Sequence, residues 1–272
     1  MTALISGPMA LAVLRPRSRG RDLALFALQM WGFVMAHELP YDDPDALRRR
    51  LRVRYPIVAD RIIGAGKLPN ARLQQAFSRP GRVTTLDRFL SVVHWAWFME
   101  PHIGLAWIQA TQPDRFPRAA RQLAATYDLG CAVYFAVPTA PPWWASEEGY
   151  VDEPVRRIMV DTGEQVWRRA WEPLYDSFNG NPWAAMPSLH FATSVMAAIQ
   201  LSEAGRAAGA LGWAYAGTLG FALVYLGEHY VTDLIAGAAL VALVRRGEPL
   251  AEPFVEAVNR RLRALEAIAA GA

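Results

Sequence analysis

The sequence predicts an all-α, polytopic membrane protein: six transmembrane helices with interfacial amphipathic helices. Three observations predict it. The 272-residue chain is 53% hydrophobic with ten tryptophans, too apolar for an ordinary soluble domain and too short for several. Its charged residues, 19% of the total, fall in blocks that leave apolar stretches between them. Six of those stretches could span, and in lipid a helix satisfies every backbone group within its own segment.

Residues 1–22 form a loose or amphipathic cytoplasmic tail. Its apolar part precedes Arg15, Arg17, Arg19 and Arg21, the reverse of a secretory signal. A single transmembrane domain covers 23–247, and 248–272 form a cytoplasmic amphipathic helix. The six segments are Leu23–Ala36, Phe89–Ala110, Leu123–Trp144, the run from His190 to Gly205, Ala207–Gly227 and Val231–Val244. A span needs about 20 residues, so the first, fourth and sixth borrow flanking residues. Small residues in the last three suit close packing in lipid.

Between spans, 37–88 and 145–187 are outer-face loops. PDALRRRLRVRYPIVADRIIG has helical apolar spacing and reads as one surface helix, broken after it by GAGKLPN. Val155–Phe178 reads as another, with Trp167 and Trp171 at headgroup level. With the N-terminus inside, the inner loops carry Arg15–Arg21, then Arg115, Arg118 and Arg121, then Arg206, then Arg245 and Arg246, as the positive-inside rule requires. The expected location is a bacterial plasma membrane with the site on the outer face. The net charge of +3 thus reports topology, and no aromatic-and-basic pattern points to nucleic acid. The single cysteine, Cys131, excludes an internal disulfide.

Two of the five histidines lie at the outer ends of spans. His190 opens the fourth after Pro187 and Ser188. His229 lies in LGEHYVTDLIAG with Asp233 four residues on, on one face if helical. A carboxylate there can hold the imidazole tautomer and leave Nε2 free as a nucleophile. Two histidines facing one centre divide into nucleophile and general acid. A structural ion pair or cap is the plainer reading. A zinc site is another, but no third close ligand or HExxH pattern accompanies it. His37, His94 and His102 read as interfacial or packing residues, and Glu100 and His102 as a pair across a Pro101 kink.

PSLH followed about forty residues later by HYVTD resembles the second and third motifs of the type 2 phosphatidic acid phosphatase superfamily. NPWAAMPSLHFATS, YLGEHYVTDLIAG and FAVPTAPPWW further resemble the branch that includes inositol phosphorylceramide synthases. The resemblance implies a six-helix membrane enzyme with no metal or other cofactor. It makes His229 the nucleophile, Asp233 its orienter, His190 the general acid and Ser188 a phosphate donor. The family's first motif has no clean copy here, and Leu223 stands where the third motif has Arg. Phosphate still needs positive charge. Lys67, the only lysine, is the first candidate, with Arg156, Arg157, Arg168 and Arg169 behind it.

The expected function is a phosphotransferase that moves a phosphoryl or phosphoinositol-type headgroup between lipids through a phosphohistidine. The alternatives are a lipid phosphate phosphatase, acting on phosphatidate or an isoprenoid phosphate, and a non-catalytic lipid-binding or transport protein. The expected partners are a membrane lipid substrate and the bilayer. The paired aspartates of a CDP-alcohol phosphotransferase and the Gly-flanked serine of an intramembrane protease are absent.

Overall fold

The computed structural model describes residues 2–39, 43–173 and 181–271. Among these residues the chain is all-helical, with no strand. The order is α1 (Thr2–Leu14), α2 (Arg19–Glu38), α3 (Pro44–Arg50), α4 (Arg54–Ile63), α5 (Pro69–Phe77), α6 (Thr85–Ala96) and α7 (Glu100–Thr111). Then come α8 (Phe116–Ala136), α9 (Pro142–Glu147), α10 (Ile158–Trp167) with a 3-10 turn at Arg168–Ala170, α11 (Leu189–Ala204), α12 (Arg206–Tyr225) and α13 (Val231–Gly271).

Local chemistry sets the helix starts. Ser18 caps α2 by accepting from the Arg21 N–H at 3.1 Å. Thr84 and Asp87 form a reciprocal capping box on α6. Pro44 and Pro69 occupy first positions, where no N–H is needed.

Proline also explains where the elements depart from expectation, since its ring clashes with the carbonyl four residues back. Pro101 acts on Trp97, so the expected second span is two helices, α6 and α7, broken at 97–99. Pro56 acts on Arg52, so the expected single surface helix over 44–64 is α3 and α4. The freed Arg52 backbone pairs instead with Pro138 O (2.8 Å) and Ala140 N (3.0 Å). Thr139 in turn bridges to Trp183 and Ala185, tying three loops together. Pro138 ends α8 at Ala136, so the third helix runs 116–136, and the PPWW stretch starts the separate short α9. The expected tail is helical as α1, and the expected C-terminal helix continues the last span without a break, as α13.

Helix α11 is the central element, packed against α7, α8, α12 and α13. Glycines allow that approach: a Cβ on Gly212 of α12 would lie 2.8 Å from Ala198 Cα, and one on Gly237 of α13 would lie 2.7 Å from Ser188 O. The arginines expected inside gather at one end. Arg118 pairs with Glu248 (2.6 Å), Arg245 with Glu203 (2.7 Å), and Arg17 and Arg21 with Glu266. The PSLH and HYVTD segments lie at the other end, beside α4 and α5.

Among the described residues one helix, Arg206–Tyr225, is long and apolar enough to cross a membrane by itself. Large apolar side chains are nonetheless exposed on other helices, among them Phe89, Ile103, Leu129, Ile235 and Leu243. Trp167 is exposed as expected, but Trp171 is buried, its ring on Gly163 and 5.7 Å from Trp95. The end of that surface stretch, residues 174–178, lies outside the described residues.

Gly237→Ala should lower the thermal unfolding midpoint in detergent, at a cost of about 1–3 kcal/mol for overpacking against Ser188 O. Gly217→Ala on α12, where a Cβ meets nothing within 4 Å, should leave it unchanged or raise it.

Candidate active site

The PSLH segment starts α11. Ser188 is its N-cap: its hydroxyl oxygen accepts from the Phe191 N–H at 3.3 Å, and its own N–H donates to Asp233 O at 3.0 Å. Tyr134 of α8 donates to Pro187 O at 2.7 Å. His190 follows in the first turn. Its ring lies against two rings from the end of α6, Trp97 at 4.1 Å and His94 at 5.0 Å between centroids. Trp97 is fixed in turn by donating to Thr193 Oγ1 at 2.8 Å.

His229 belongs to the turn joining α12 to α13, not to a helix, so helical four-residue spacing is not what joins it to Asp233. Asp233 lies in the first turn of α13. Its Oδ2 accepts the Tyr230 N–H at 2.9 Å and is 3.3 Å from His229 Nδ1. On the other side, His229 Nε2 is 3.1 Å from His190 Nδ1. Asp233, His229 and His190 thus form one continuous chain. With the His229 proton on Nδ1, its Nε2 is the acceptor and His190 Nδ1–H the donor. His229 and Asp233 are both buried.

The turn carrying His229 is held by three polar residues that sequence reading missed. Asn70 Nδ2 donates to Val224 O (2.7 Å) and His229 O (2.9 Å). Gln74 Nε2 donates to Tyr225 O (2.9 Å) and Arg156 O (2.8 Å), while its Oε1 accepts from Arg156 N (2.9 Å). Asp60 caps α13 from outside, its two oxygens accepting the N–H groups of Val231 and Thr232, each at 2.9 Å. Burial pushes the Asp60 carboxyl above its ordinary range, and those N–H donors oppose the shift. Signals for these residues exist in the sequence. Asp60 falls three residues after Ile57 on an otherwise apolar stripe. Asn70 and Gln74 are four apart, one helix face, next to buried Leu68 and Ala71. At Gly227 the turn has φ +83°, and a Cβ would lie 2.4 Å from Arg156 O.

Of the candidate basic residues, the structure brings Arg157 to the site. It pairs with Glu228 through Nε–Oε1 at 2.9 Å and Nη2–Oε2 at 3.1 Å, and its guanidinium lies 4.4 Å from the Trp143 ring centroid. Burial works to raise the Glu228 pKa, but Arg157 and the nearby imidazoles outweigh it, and the group sits below its ordinary 4.5. Arg156 is held by Asp161, and Arg168 and Arg169 are exposed. Lys67 is exposed in the α4–α5 turn, and no hydrogen bond or ion pair of the described residues joins it to either histidine. Ser188 is fully buried and serves as a helix cap. Of the histidines expected to pack, His37 lies beside Glu38 and Tyr134, and His102 stacks on Tyr127. Among the described residues no group of three or more His, Cys, Asp or Glu side chains could hold a metal ion.

This geometry lies within a recognised sequence family. The PAP2 superfamily profile matches residues 73–245, well over half of the chain. The chain belongs to the PAP2 superfamily. No curated protein and no solved structure matches it. PAP2 superfamily membership supports a lipid-related phosphatase or phosphotransferase activity and an association with membranes. The matched region contains His94, Arg157, His190, His229 and Asp233, while Asp60, Lys67 and Asn70 precede it.

Two measurements check this architecture. Asn70→Ala should take its donor from the His229 carbonyl, at about 1–3 kcal/mol for a buried group, and leave Val224 O with only the Gly227 N–H, lowering both unfolding midpoint and turnover. Glu228, depressed below 4.5, contributes stability that is full above its unfolded pKa and is lost as pH falls through the lower folded value. The stability difference between wild type and Glu228→Gln should therefore hold constant at neutral pH and shrink as pH falls below 4.5.

Proposed function

We propose that this PAP2 superfamily protein is a membrane-embedded lipid phosphotransferase that works through a phosphohistidine on His229. The observation that carries the reading is the chain Asp233–His229–His190, buried at Asp233 and His229, with contacts of 3.3 and 3.1 Å. Asp233 holds the Nδ1 proton of His229 and steadies the cation that forms on attack. His229 Nε2 attacks phosphorus as the P–O bond to the leaving alcohol breaks, and His190 protonates that oxygen. An acceptor alcohol then takes the phosphoryl group, and His190 removes its proton.

Two features support anion binding without the family's usual arginines. The site lies at the N-termini of α11 and α13, where the helix dipole favours negative charge. The α13 end is already answered by Asp60 and Asp233, which leaves the neutral-capped α11 as the open anion site. Arg157 supplies the mobile positive charge, exchanging Glu228 for substrate phosphate. Burial of His229 favours an alcohol over bulk water as acceptor, which is why transfer is preferred to hydrolysis.

Six spans fit the helices as they stand. Helices α2, α8 and α12, of 20, 21 and 20 residues, are each about 30 Å long. The α6–α7 pair spans as a broken helix, while α11 and α13 start inside the outer surface at the site. The exposed apolar faces of these helices then meet lipid. The arginine-rich end faces the cytoplasm, and the site opens outward. Transfer of an inositol-type headgroup rests on the likeness of NPWAAMPSLHFATS and FAVPTAPPWW to inositol phosphorylceramide synthases.

Headgroup-labelled phospholipid supplied with an alcohol-bearing lipid acceptor should yield labelled acceptor, and little free phosphate without it. Free phosphate released at the same rate with or without acceptor would establish a phosphatase instead. His229→Ala should abolish turnover, and full activity in that variant would remove the phosphohistidine.

A further inference from the structure

The mechanism above leaves His190 with a problem. At rest its Nδ1 is bonded to His229 Nε2, the atom that must attack phosphorus. Once phosphorus occupies Nε2, that bond is gone. The general acid then has no partner to hold its ring, whereas His229 keeps Asp233 throughout. A general acid is effective only when its donating nitrogen is held toward the leaving oxygen.

His94 is placed to supply the missing partner. It lies on the buried face of α6 with Leu90 and Ser91, is 4% exposed, and packs its ring 5.0 Å from that of His190. Among the described residues neither of its ring nitrogens has a hydrogen-bond partner. A buried polar group left unpaired costs about 1–3 kcal/mol, so a donor that comes within reach of either nitrogen in another state would be stabilised there. The charged and titratable groups acting on His94 are Glu228, His229 and Arg157, all from the site itself.

We propose that His94 is the positioning residue of the general acid, accepting the His190 Nδ1–H once substrate has separated His190 from His229. This rests on the phosphohistidine reading and adds a residue to it. The loaded state then has two parallel relays, Asp233 behind the nucleophile and His94 behind the acid. In the transfer step the P–Nε2 bond to His229 forms and the P–O bond breaks. The proton on His190 Nε2 passes to the leaving oxygen, and the proton on Nδ1 stays with His190, held by a neutral His94 nitrogen. Trp97, on the other contact of His190, limits where the ring can move.

A leaving-group series tests this on the full chain in detergent. A nitrophenyl phosphate leaves without help, whereas an alkyl phosphate needs the acid. His94→Phe should lower kcat/KM, which reports the step in which the leaving group departs and not the later acceptor step, by about 10²-fold or more on the alkyl ester, the range of general-acid assistance, with kcat/KM on the nitrophenyl ester changed less than about threefold. His94→Asn, which keeps an acceptor, should recover part of the alkyl activity. Thermal stability of His94→Phe should be equal to or above wild type, because no hydrogen bond is lost. Equal losses on both esters, or no loss on either, would overturn the assignment. His190→Ala sets the reference: it should show the same leaving-group selectivity. If it does not, the general-acid reading itself fails and takes His94 with it. If it does while His94→Phe does not, only the His94 assignment falls.

Discussion

A buried turn has to satisfy its backbone away from water, and in this molecule that constraint organises everything around His229. The turn from Tyr225 to Val231 runs inside the protein between two long helices, where an unpaired carbonyl or N–H is costly. Its groups are met by Asn70, Gln74 and Asp60 from α4 and α5. Those helices are therefore not surface decoration. They are the clamp that sets where the imidazole stands, and their own polar side chains are buried because that is where the turn needs them. Gln74 also bonds Arg156, next to Arg157, so the Arg157 segment and the start of the His229 turn are tied by one side chain.

The second organising element is α11, held closely on three sides because glycines on its neighbours give way to it. Its first turn presents His190 to His229, and its cap is bonded directly to the backbone of Asp233. His190 and Asp233 thus sit on two helix starts that are locked to each other, with His229 in the turn between them. A displacement of either start would part a contact of about 3 Å, and for catalysis such positioning is worth several kcal/mol. In place of a ring of arginines, the site has an open helix N-terminus and one guanidinium that already has a carboxylate partner.

Much of this was legible in the sequence, for reasons that can be named. The histidine positions and Asp233 stood out because ionisable residues at the ends of apolar runs are few. Helices α2, α11 and α12 followed from their apolar length. At Pro101 the sequence indicates a kink, and the structure shows a full break at 97–99; at Arg52 the effect of Pro56 is hidden by the helical periodicity around it. Trp171 was assigned to the headgroups on its spacing from Trp167, but Gly163 makes a slot for it that only the fold reveals. Lys67 stands out as the sole lysine, whereas the basic residue that the fold brings beside the His229 turn is Arg157, through Glu228 and the bonds of Gln74 to Arg156. His94 was taken for a packing residue, and nothing local distinguishes it. Its proximity to His190 comes from α6 ending at the level of the α11 start.

The central claim is that His229 becomes covalently phosphorylated. The most direct test is rapid quench of the full-length protein with labelled lipid phosphate into alkali, which preserves a phosphohistidine, followed by peptide mapping. The account predicts label on the peptide carrying His229, lost on acid treatment and absent from His229→Ala. Turnover with no trapped label at any quench time, or an acid-stable label on another residue, would contradict it.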